Sequence, residues 1–552
     1  MVPRITLPDG RQVLAPHVEW STHQLRWRWL LDSWEGGEAY RTAVYGLDSR
    51  GLPVRNLIRH KREYPSDFEA AYSPQAGRPI GTDQASQATD DDYELRRART
   101  PVPAFVAEAV RAHLSKIYKQ EIRRDAGGSL ALRAFWENVT GRRQSIDAWM
   151  SQVVAPLMLV LGQLDILVDH PPVPPGESVQ SRADELRLGL DACVASYILP
   201  ENMVWWRLDG QDRYAECLIR EPQEDGLAHW RYWNDAGWVG YDQHGAETRR
   251  GTHPFGRVPI VRLFDRRRPR SRNVGLPRYE VLAELQREYY NRDSELILSD
   301  TTHAHPLLQG PEDYVQPDGT VPVGPNWLLP KKKNASGTVA SYEGFDVLAF
   351  PKEGAESIRL NKADLRDAAD RAACLTKPAG AMGSTGRTVA QSGISKRLDH
   401  SDGADLLADI ADKLENAERD IAELALCVAG NGRIDQAALR NVQVVYPKQF
   451  DLFTGEELAS AVVDFQAAVA AAGTLPMVEE ALLCKWVRLM LPGLDDATYA
   501  AFDAEIAQYL VVRSRIAEQA REAGLSNGAE YMRSIDESGL NNDSIAVSGR
   551  IA

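Results

Sequence analysis

The sequence predicts a mixed α+β protein that is mostly helical, and three observations carry that prediction. Apolar residues recur at three- and four-residue steps in separate long segments, the signature of amphipathic helices. One stretch, 195–265, changes to short aromatic and β-branched runs broken by Asp-Gly and Gly turns, which read as antiparallel strands. The chain has 552 residues and is 43% hydrophobic, enough for two to four core-forming regions.

The elements follow in order. Residues 1–73 alternate aromatic-rich patches such as "VEWSTHQLRWRWLLDSW" with turn residues, and 73–92 has the composition of a polar linker. After Pro103, the residues Phe105, Val106, Val110, Leu114 and Ile117 form an amphipathic stripe, so the spacing predicts a helix over 105–122. "VVAPLMLVLGQLDILV" at 153–168 is broken by Pro156 and Gly162 and reads as a buried helix running into a strand. Between 195 and 265, Trp205, Trp206, Trp230, Trp233 and Trp238 fit an aromatic core better than a sugar-binding platform. A long helix is predicted over 277–301, with Leu282, Leu285, Tyr289 and Leu296 near one face. The Pro/Gly-rich region 304–356 contains short strands, and a second helix is predicted over 361–375. A third runs from about 394 to 429, with Leu406, Ile410, Leu414, Ala417, Ile421 and Leu424 as its apolar stripe. Its acids Asp405, Asp409, Asp412, Glu415, Glu418 and Glu423 read as decoration of the other faces. A strand at 442–447 and Ala-rich helices over 455–523 complete the pattern, and the last residues hold too few hydrophobes to fold alone.

The formal charge is −14, whereas a protein that grips DNA through its phosphates normally carries a basic excess. Five widely spaced cysteines with no CxxC suit a reducing compartment and argue against a zinc ribbon or a disulfide framework. The N-terminus has no apolar leader, and no apolar run reaches the length of a membrane span.

Most motifs that promise catalysis fail on spacing. "LTKPAGAMGSTGRTVAQSG" (375–393) resembles a phosphate-binding loop, but the position five before Gly386 is Ala381, and Arg387 stands where a lysine is required. His303 and His305 form an HxH with no third or fourth metal ligand in evidence. Two basic runs flank the 277–301 helix: Arg266, Arg267, Arg268, Arg270 and Arg272 before it, Lys331, Lys332 and Lys333 after it. Such runs are usually solvated loops, but here they are candidate contacts for a phosphate backbone or for an acidic neighbouring subunit.

The order of these elements resembles the portal (head–tail connector) proteins of tailed bacteriophages, over roughly 20–510. "YELRRARTPVPAF" with the helix after it looks like the wing helices. "FWENVTGRRQSIDAWMSQVVAPLMLVLGQLDILVDHPP" resembles the family's helix-to-strand passage, and "HPFGRVPIVRLFDR" is similar to the strand before the first stem helix. "VQVVYPKQFDLFTGEEL" followed by "VVDFQAAVAAAGTLPMVEEALL" looks like the return strand and crown helices. The segments 73–92 and 525–552 match no phrase of the family.

The resemblance implies an N-terminal wing (1–276), a first stem helix (277–301), a clip (302–356), a second stem helix (357–375) and a tunnel loop (376–393). A wing-crossing helix and return strand (394–450), a helical crown (451–524) and a tail (525–552) follow. It also implies a homo-oligomeric ring, typically dodecameric, at one vertex of a virion capsid, assembled in the host cytoplasm. Double-stranded DNA would pass through it. Its partners would be the terminase large subunit, the major capsid and scaffolding proteins, and a head-completion or tail adaptor, with no membrane, cofactor, metal or enzymatic activity of its own. Lys377, Gly380, Gly383, Ser384, Thr385, Gly386, Arg387 and Thr388 would then line the DNA channel, glycine supplying mobility and the polar side chains weak, exchangeable contacts. The alternatives are another structural phage head protein or a nucleotide hydrolase built around 380–388.

Overall fold

The computed structural model describes residues 3–47, 53–58, 93–171, 192–222, 227–304, 307–311, 328–331, 346–348, 353–374, 393–433, 436–448, 450 and 496–522, with isolated positions at 181, 184, 187, 483–484 and 487. The chain divides into two units, Met1–Lys448 and Gln449–Ala552.

The first unit opens with a hairpin, β1 (Ile5–Thr6) and β2 (Gln12–Val13). Helix α1 (Val18–Glu35) starts where the His17 ring accepts the Glu19 N–H, and it ends at Gly36, whose φ of +69° closes the helix as glycine readily does. α2 (Gly37–Thr42), a helical segment at 93–99 and α3 (Phe105–Tyr118) follow. Next come β3 (Arg123–Ala126) and α4 (Leu130–Glu137). α5 (Ile146–Trp149) continues through a π-helical turn (Met150–Val154) into α6 (Ala155–Leu161). Every residue of α6 is buried. Gly162 at φ +78° then turns the chain directly into β4 (Gln163–Asp169), the helix-to-strand passage that its composition predicts.

The predicted antiparallel region resolves into two sheets. β4 is the centre of one, flanked by β5 (Val194–Ile198) and β11 (Ile260–Phe264), both antiparallel to it. The other is a five-stranded meander of β6 (Met203–Leu208), β7 (Tyr214–Pro222), β8 (Ala228–Trp233), β9 (Gly237–Tyr241) and β10 (Glu247–Thr252). Period-two alternation sends its side chains to two cores. Val204, Leu218 and Tyr232 pack with Ile5, Leu7 and Val13 of the N-terminal hairpin. Met203, Cys217, Ile219 and Trp233 pack with Ile198, Val258 and Ile260 from the neighbouring sheet. Trp206, Trp230 and Trp233 are buried, as the aromatic-core reading expects.

A short hairpin, β12 (Arg267–Arg268) and β13 (Ser271–Gly275), leads to α7 (Glu280–Ala304). A small sheet of β14 (Leu307–Pro311), β15 (Leu328–Lys331) and β16 (Asp346–Leu348) lies between α7 and α8 (Glu353–Ala372) in the chain. α8 begins well before the predicted start at 361, inside the segment assigned to the clip. Its opening run contains Ala355, Glu356 and Arg359, good helix formers that the Gly-rich character of the surrounding sequence obscures. α9 (Gly393–Ala429), α10 (Gln436–Asn441) and β17 (Val442–Val445) finish the unit, with β17 pairing antiparallel to β3. In the second unit, α11 (Asp496–Glu522) is the described helix, and Leu510 is buried on it.

Two features depart from the sequence expectation. Glu418 is not decoration on α9: it is fully buried and accepts hydrogen bonds from Arg124 on β3, at 3.0 Å through Nη2, and from the Tyr446 hydroxyl at 2.8 Å. It thereby joins the β3–β17 pair to the helix. The buried face of α7 is also more polar than expected. Leu282, Gln286, Tyr290 and Ser294 follow one another at four-residue spacing, with Ala283 and Asn291 beside them. Those polar groups read backbone. Gln286 accepts from Val106 N at 3.0 Å and donates to Ser33 O at 2.8 Å. Asn291 accepts from Ile58 N at 2.8 Å and donates to Asn56 O at 3.0 Å. Tyr93 donates to Leu57 O at 3.0 Å and Arg96 to Ile58 O at 3.1 Å, so residues 56–58 are held by three side chains, from α7 and from the 93–99 helical segment.

Asp165 of β4 is buried between the two sheets. Its Oδ1 accepts from the Tyr214 hydroxyl at 3.0 Å, while Oδ2 has no partner among the described residues. Burial pushes its carboxyl up to about 6, with the Arg262 guanidinium pulling the other way. The fold therefore prefers the protonated acid: nothing is lost while both folded and unfolded states are protonated, and stability falls as the pH rises from about 4 through 6. At about 1.4 kcal/mol per unit, the whole loss is on the order of 3 kcal/mol. Asp165→Asn is expected to raise the urea midpoint at pH 8 and to leave it nearly unchanged at pH 4; equal effects at both values would show that the carboxyl does not titrate in the fold.

Candidate functional site

α7 and α8 run antiparallel, and the pairing of their charges fixes the register. Arg359 donates to Asp300 at 2.9 Å, and Lys362 pairs with Asp293 further along. Nearer the body, Arg366 reaches Glu108 on α3 at 2.7 Å and Asp370 at 3.2 Å. Lys362 also lies 4.8 Å from the Tyr289 ring and Arg366 4.8 Å from the Phe105 ring, so aliphatic stems and cationic heads both find partners. The basic side chains of α8 at 359, 362 and 366 are thus spent on the helices it packs against. Only Ala355 and Ala369 of α8 are buried, and Leu360 is exposed.

The base of α7 is fixed by its backbone. Gly275 N donates to Gln163 Oε1 at 2.7 Å, Leu276 N to Arg266 O at 2.7 Å and Arg278 N to Leu159 O at 3.2 Å. Arg278 holds Asp265 through Nε at 3.0 and 3.1 Å, and Asp409 of α9 through Nη2 at 2.6 Å. Next to it, Tyr279 lies 2.7 Å from His113 Nδ1, and His113 Nε2 lies 2.8 Å from Ala373 O, just past the end of α8. A carbonyl can only accept, so Nε2 carries the proton, Nδ1 accepts, and the tyrosine hydroxyl donates. Burial lowers the imidazole to about 4, which keeps it neutral at physiological pH. Cys374, with φ +49°, ends the helical run in the left-handed region, and a Cβ on Gly403 would lie 3.5 Å from its carbonyl oxygen. The chain therefore leaves α8 at 374 and comes back to the same place on α9 at 403.

Of the basic residues before α7, Arg267 and Arg268 form a strand of a short hairpin, and Arg266 lies in the bend just before it. Arg266 pairs with Asp265 at 3.7 Å and donates to Pro277 O at 3.2 Å. Arg267 pairs with Asp212 at 2.8 Å over the Phe264 ring, and Arg268 approaches Glu280 to 3.9 Å. Arg270 is exposed at the turn between β12 and β13, leaving it the clearest outward cation of the run. The side chains of Arg272 and Lys331 lie outside the described residues, as do Lys332 and Lys333. So do Lys377, Gly380, Gly383, Ser384, Thr385, Gly386, Arg387 and Thr388, together with the side chain of His303 and all of His305. No group of three or more His, Cys, Asp or Glu side chains among the described residues is placed to hold a metal ion. No described helix is long and apolar enough to cross a membrane.

The residues that tie this region together, His113, Arg278, Tyr279 and Asp409, carry no motif. The one sequence signal was a histidine amid the apolar stripe of α3, a pattern that fits ordinary core packing equally well.

The two inter-helix ion pairs differ in burial: the Arg359–Asp300 side chains are about half exposed, and the Lys362–Asp293 side chains are about 15% exposed. Arg359→Gln is expected to cost less than about 0.5 kcal/mol, and Lys362→Gln roughly 1–3 kcal/mol because it strands a carboxylate. Urea midpoints at constant slope measure both; equal costs would mean that solvent screens the two pairs alike.

No family model and no curated protein matches the chain. Among solved structures, a chain of the virion of a native gene transfer agent particle is similar, at 15% identity over 74% of this chain and 95% of that one, with a TM-score of 0.34. Chains from the neck of an empty gene transfer agent particle computed with C6 symmetry and from the neck of a native particle computed with C12 symmetry are also similar. They share 16% and 14% identity over 74% of this chain and 95% and 94% of theirs, with TM-scores of 0.32 and 0.33. Superpositions at this level carry no argument about function, which rests on the residues.

Proposed function

We propose that this chain is a phage portal protein: the subunit of a ring-shaped DNA channel at the unique capsid vertex, which docks the terminase during packaging and a tail or adaptor protein afterwards. One arrangement carries the reading. Two antiparallel helical rods are separated in sequence by a small sheet, the first is rooted in the α/β body, and a glycine-rich segment follows the second. That is the stem, clip, stem and tunnel-loop order that the sequence resemblance implies. α7 is then the first stem helix and α8 the second, with the clip between them and 376–393 as the tunnel loop. α9 crosses the wing, β17 is the return strand, and the crown and tail lie beyond 450.

Two physical arguments support it. α8 is a 20-residue helix whose buried residues are two alanines, so it gains little from packing within the monomer. Neighbouring copies in a ring would cover its remaining face, including Leu360, through the head-to-tail contacts of a cyclic assembly. A conduit must also release its cargo. Each phosphate neutralised adds affinity by counterion release, and a chain of charge −14 in which Arg359, Lys362 and Arg366 of α8 already have acidic partners keeps that affinity low.

Negative-stain images of the purified protein test the proposal: rings with a central hole are expected, and a monomer at micromolar concentration would refute it. Isolated shells or irregular assemblies would favour a different head protein. Deleting Gly380–Gly386 should leave the rings intact while impairing DNA packaging or retention. Loss of rings with normal DNA handling in those that remain would remove the tunnel-loop assignment.

A further inference from the structure

α8 and α9 reach the rigid base of α7 through a small set of side chains, and these converge on two consecutive residues. Arg278 and Tyr279 follow a backbone pinned to α6, to β4 and to Arg266 just before β12 by the bonds at Gly275, Leu276 and Arg278. From Tyr279 the hydrogen-bond path runs through His113 to Ala373 O beyond the last turn of α8. From Arg278 it runs to Asp409 on α9. Cys374 and Gly403 lie against each other between these two attachment points.

We propose that Arg278 and Tyr279 form a junction that couples the end of α8 and the body of α9 to the base of α7, with His113 as the positioning residue that relays it. The coupling is a property of the fold and stands whatever the helices enclose. In mechanical terms, both roots of the segment between 374 and 403 are referenced to one point. A displacement of the base of α7 therefore moves the two roots together instead of prising them apart. His113 suits the relay because it is neutral and held in one tautomer: it has one donor for the carbonyl and one acceptor for the hydroxyl, and no charge to be solvated.

Ala373 O illustrates why the relay matters. It is one of the carbonyls at a helix end with no partner inside the helix, and the turn beyond it is left-handed at a residue carrying a Cβ. With His113 in place the carbonyl is satisfied from outside. Without it, the last turn of α8 keeps only its own bonds, Ala373 N to Ala369 O at 2.9 Å and Cys374 N to Arg371 O at 3.0 Å.

Hydrogen–deuterium exchange on the full-length protein tests the coupling. Tyr279→Phe removes a single oxygen and should speed amide exchange over 370–374 about five- to tenfold, the scale of one lost hydrogen bond. It should also speed exchange around 403–409, although no hydrogen bond among the described residues joins that stretch to His113. Arg278→Lys, which keeps the charge but loses the forked geometry, should show the reciprocal effect at 370–374. Exchange over 353–362, held by the Lys362 and Arg359 ion pairs, should stay within about twofold of the original. Acceleration confined to the contact each substitution removes, or equal acceleration throughout α7, α8, α9 and the sheets, would overturn the junction. The readout concerns the chain alone, so failure to form rings would leave it unaffected and would count only against the portal reading.

Discussion

The architecture depends on a place where two stretches of backbone meet with no room for a side chain. A Cβ on Gly162 would lie 2.5 Å from the nitrogen of Pro277, and a Cβ on Gly275 would lie 2.1 Å from the carbonyl oxygen of Gly162. Both glycines are therefore obligatory in this packing, and Gly162 also needs its left-handed φ. The contact presses the corner between α6 and β4 onto the segment that launches α7. Since β4 is the middle strand of its sheet and α7 is the longest helix of the pair, the close approach sets the direction in which the rods leave the body.

Around that corner the packing uses buried polar groups to a degree that an apolar periodicity does not convey. Glu418, Gln286 and Asn291 are all at least nine-tenths buried, and each has partners. Such groups contribute modestly to net stability when satisfied and cost several times as much when orphaned, so they select one docking geometry more than they strengthen it. Asp165 and His113 add opposite pH responses. The first favours the fold at low pH, and the second, whose folded pKa is depressed, favours it above about 6.5 and withdraws that support as the pH falls toward 4. Over the interval between, the two slopes oppose each other, which flattens the acid response of the unit they share.

The mixed α+β class, the helix-to-strand turn at Gly162, the aromatic meander and the long helices were legible in the sequence because each follows a local rule of period or turn chemistry. The start of α8 was not: its burial is confined to two alanines, so there was no apolar stripe to find. Nor were the roles of Glu418 and Asp409, because an acid on a helix face reads the same whether it meets water or an arginine distant in sequence. The basic run before α7 was visible as charge, but its hairpin and its pairing with Asp265, Asp212 and Glu280 depend on strands folded elsewhere. The junction residues illustrate the same limit, since His113, Tyr279 and Ala373 come together only in three dimensions.

The grip on residues 56–58 carries a consequence for how this stretch can vary over evolutionary time. The groups engaged by Asn291, Tyr93 and Arg96 are main-chain ones: the Ile58 N–H and the carbonyls of Asn56, Leu57 and Ile58. A backbone carbonyl is present whatever side chain a residue carries, and the N–H is missing only in proline. The exposed Ile58 can therefore change to almost any residue but proline without loosening the attachment. Asn291, Tyr93 and Arg96 have no such freedom, because their side chains supply the other half of each bond.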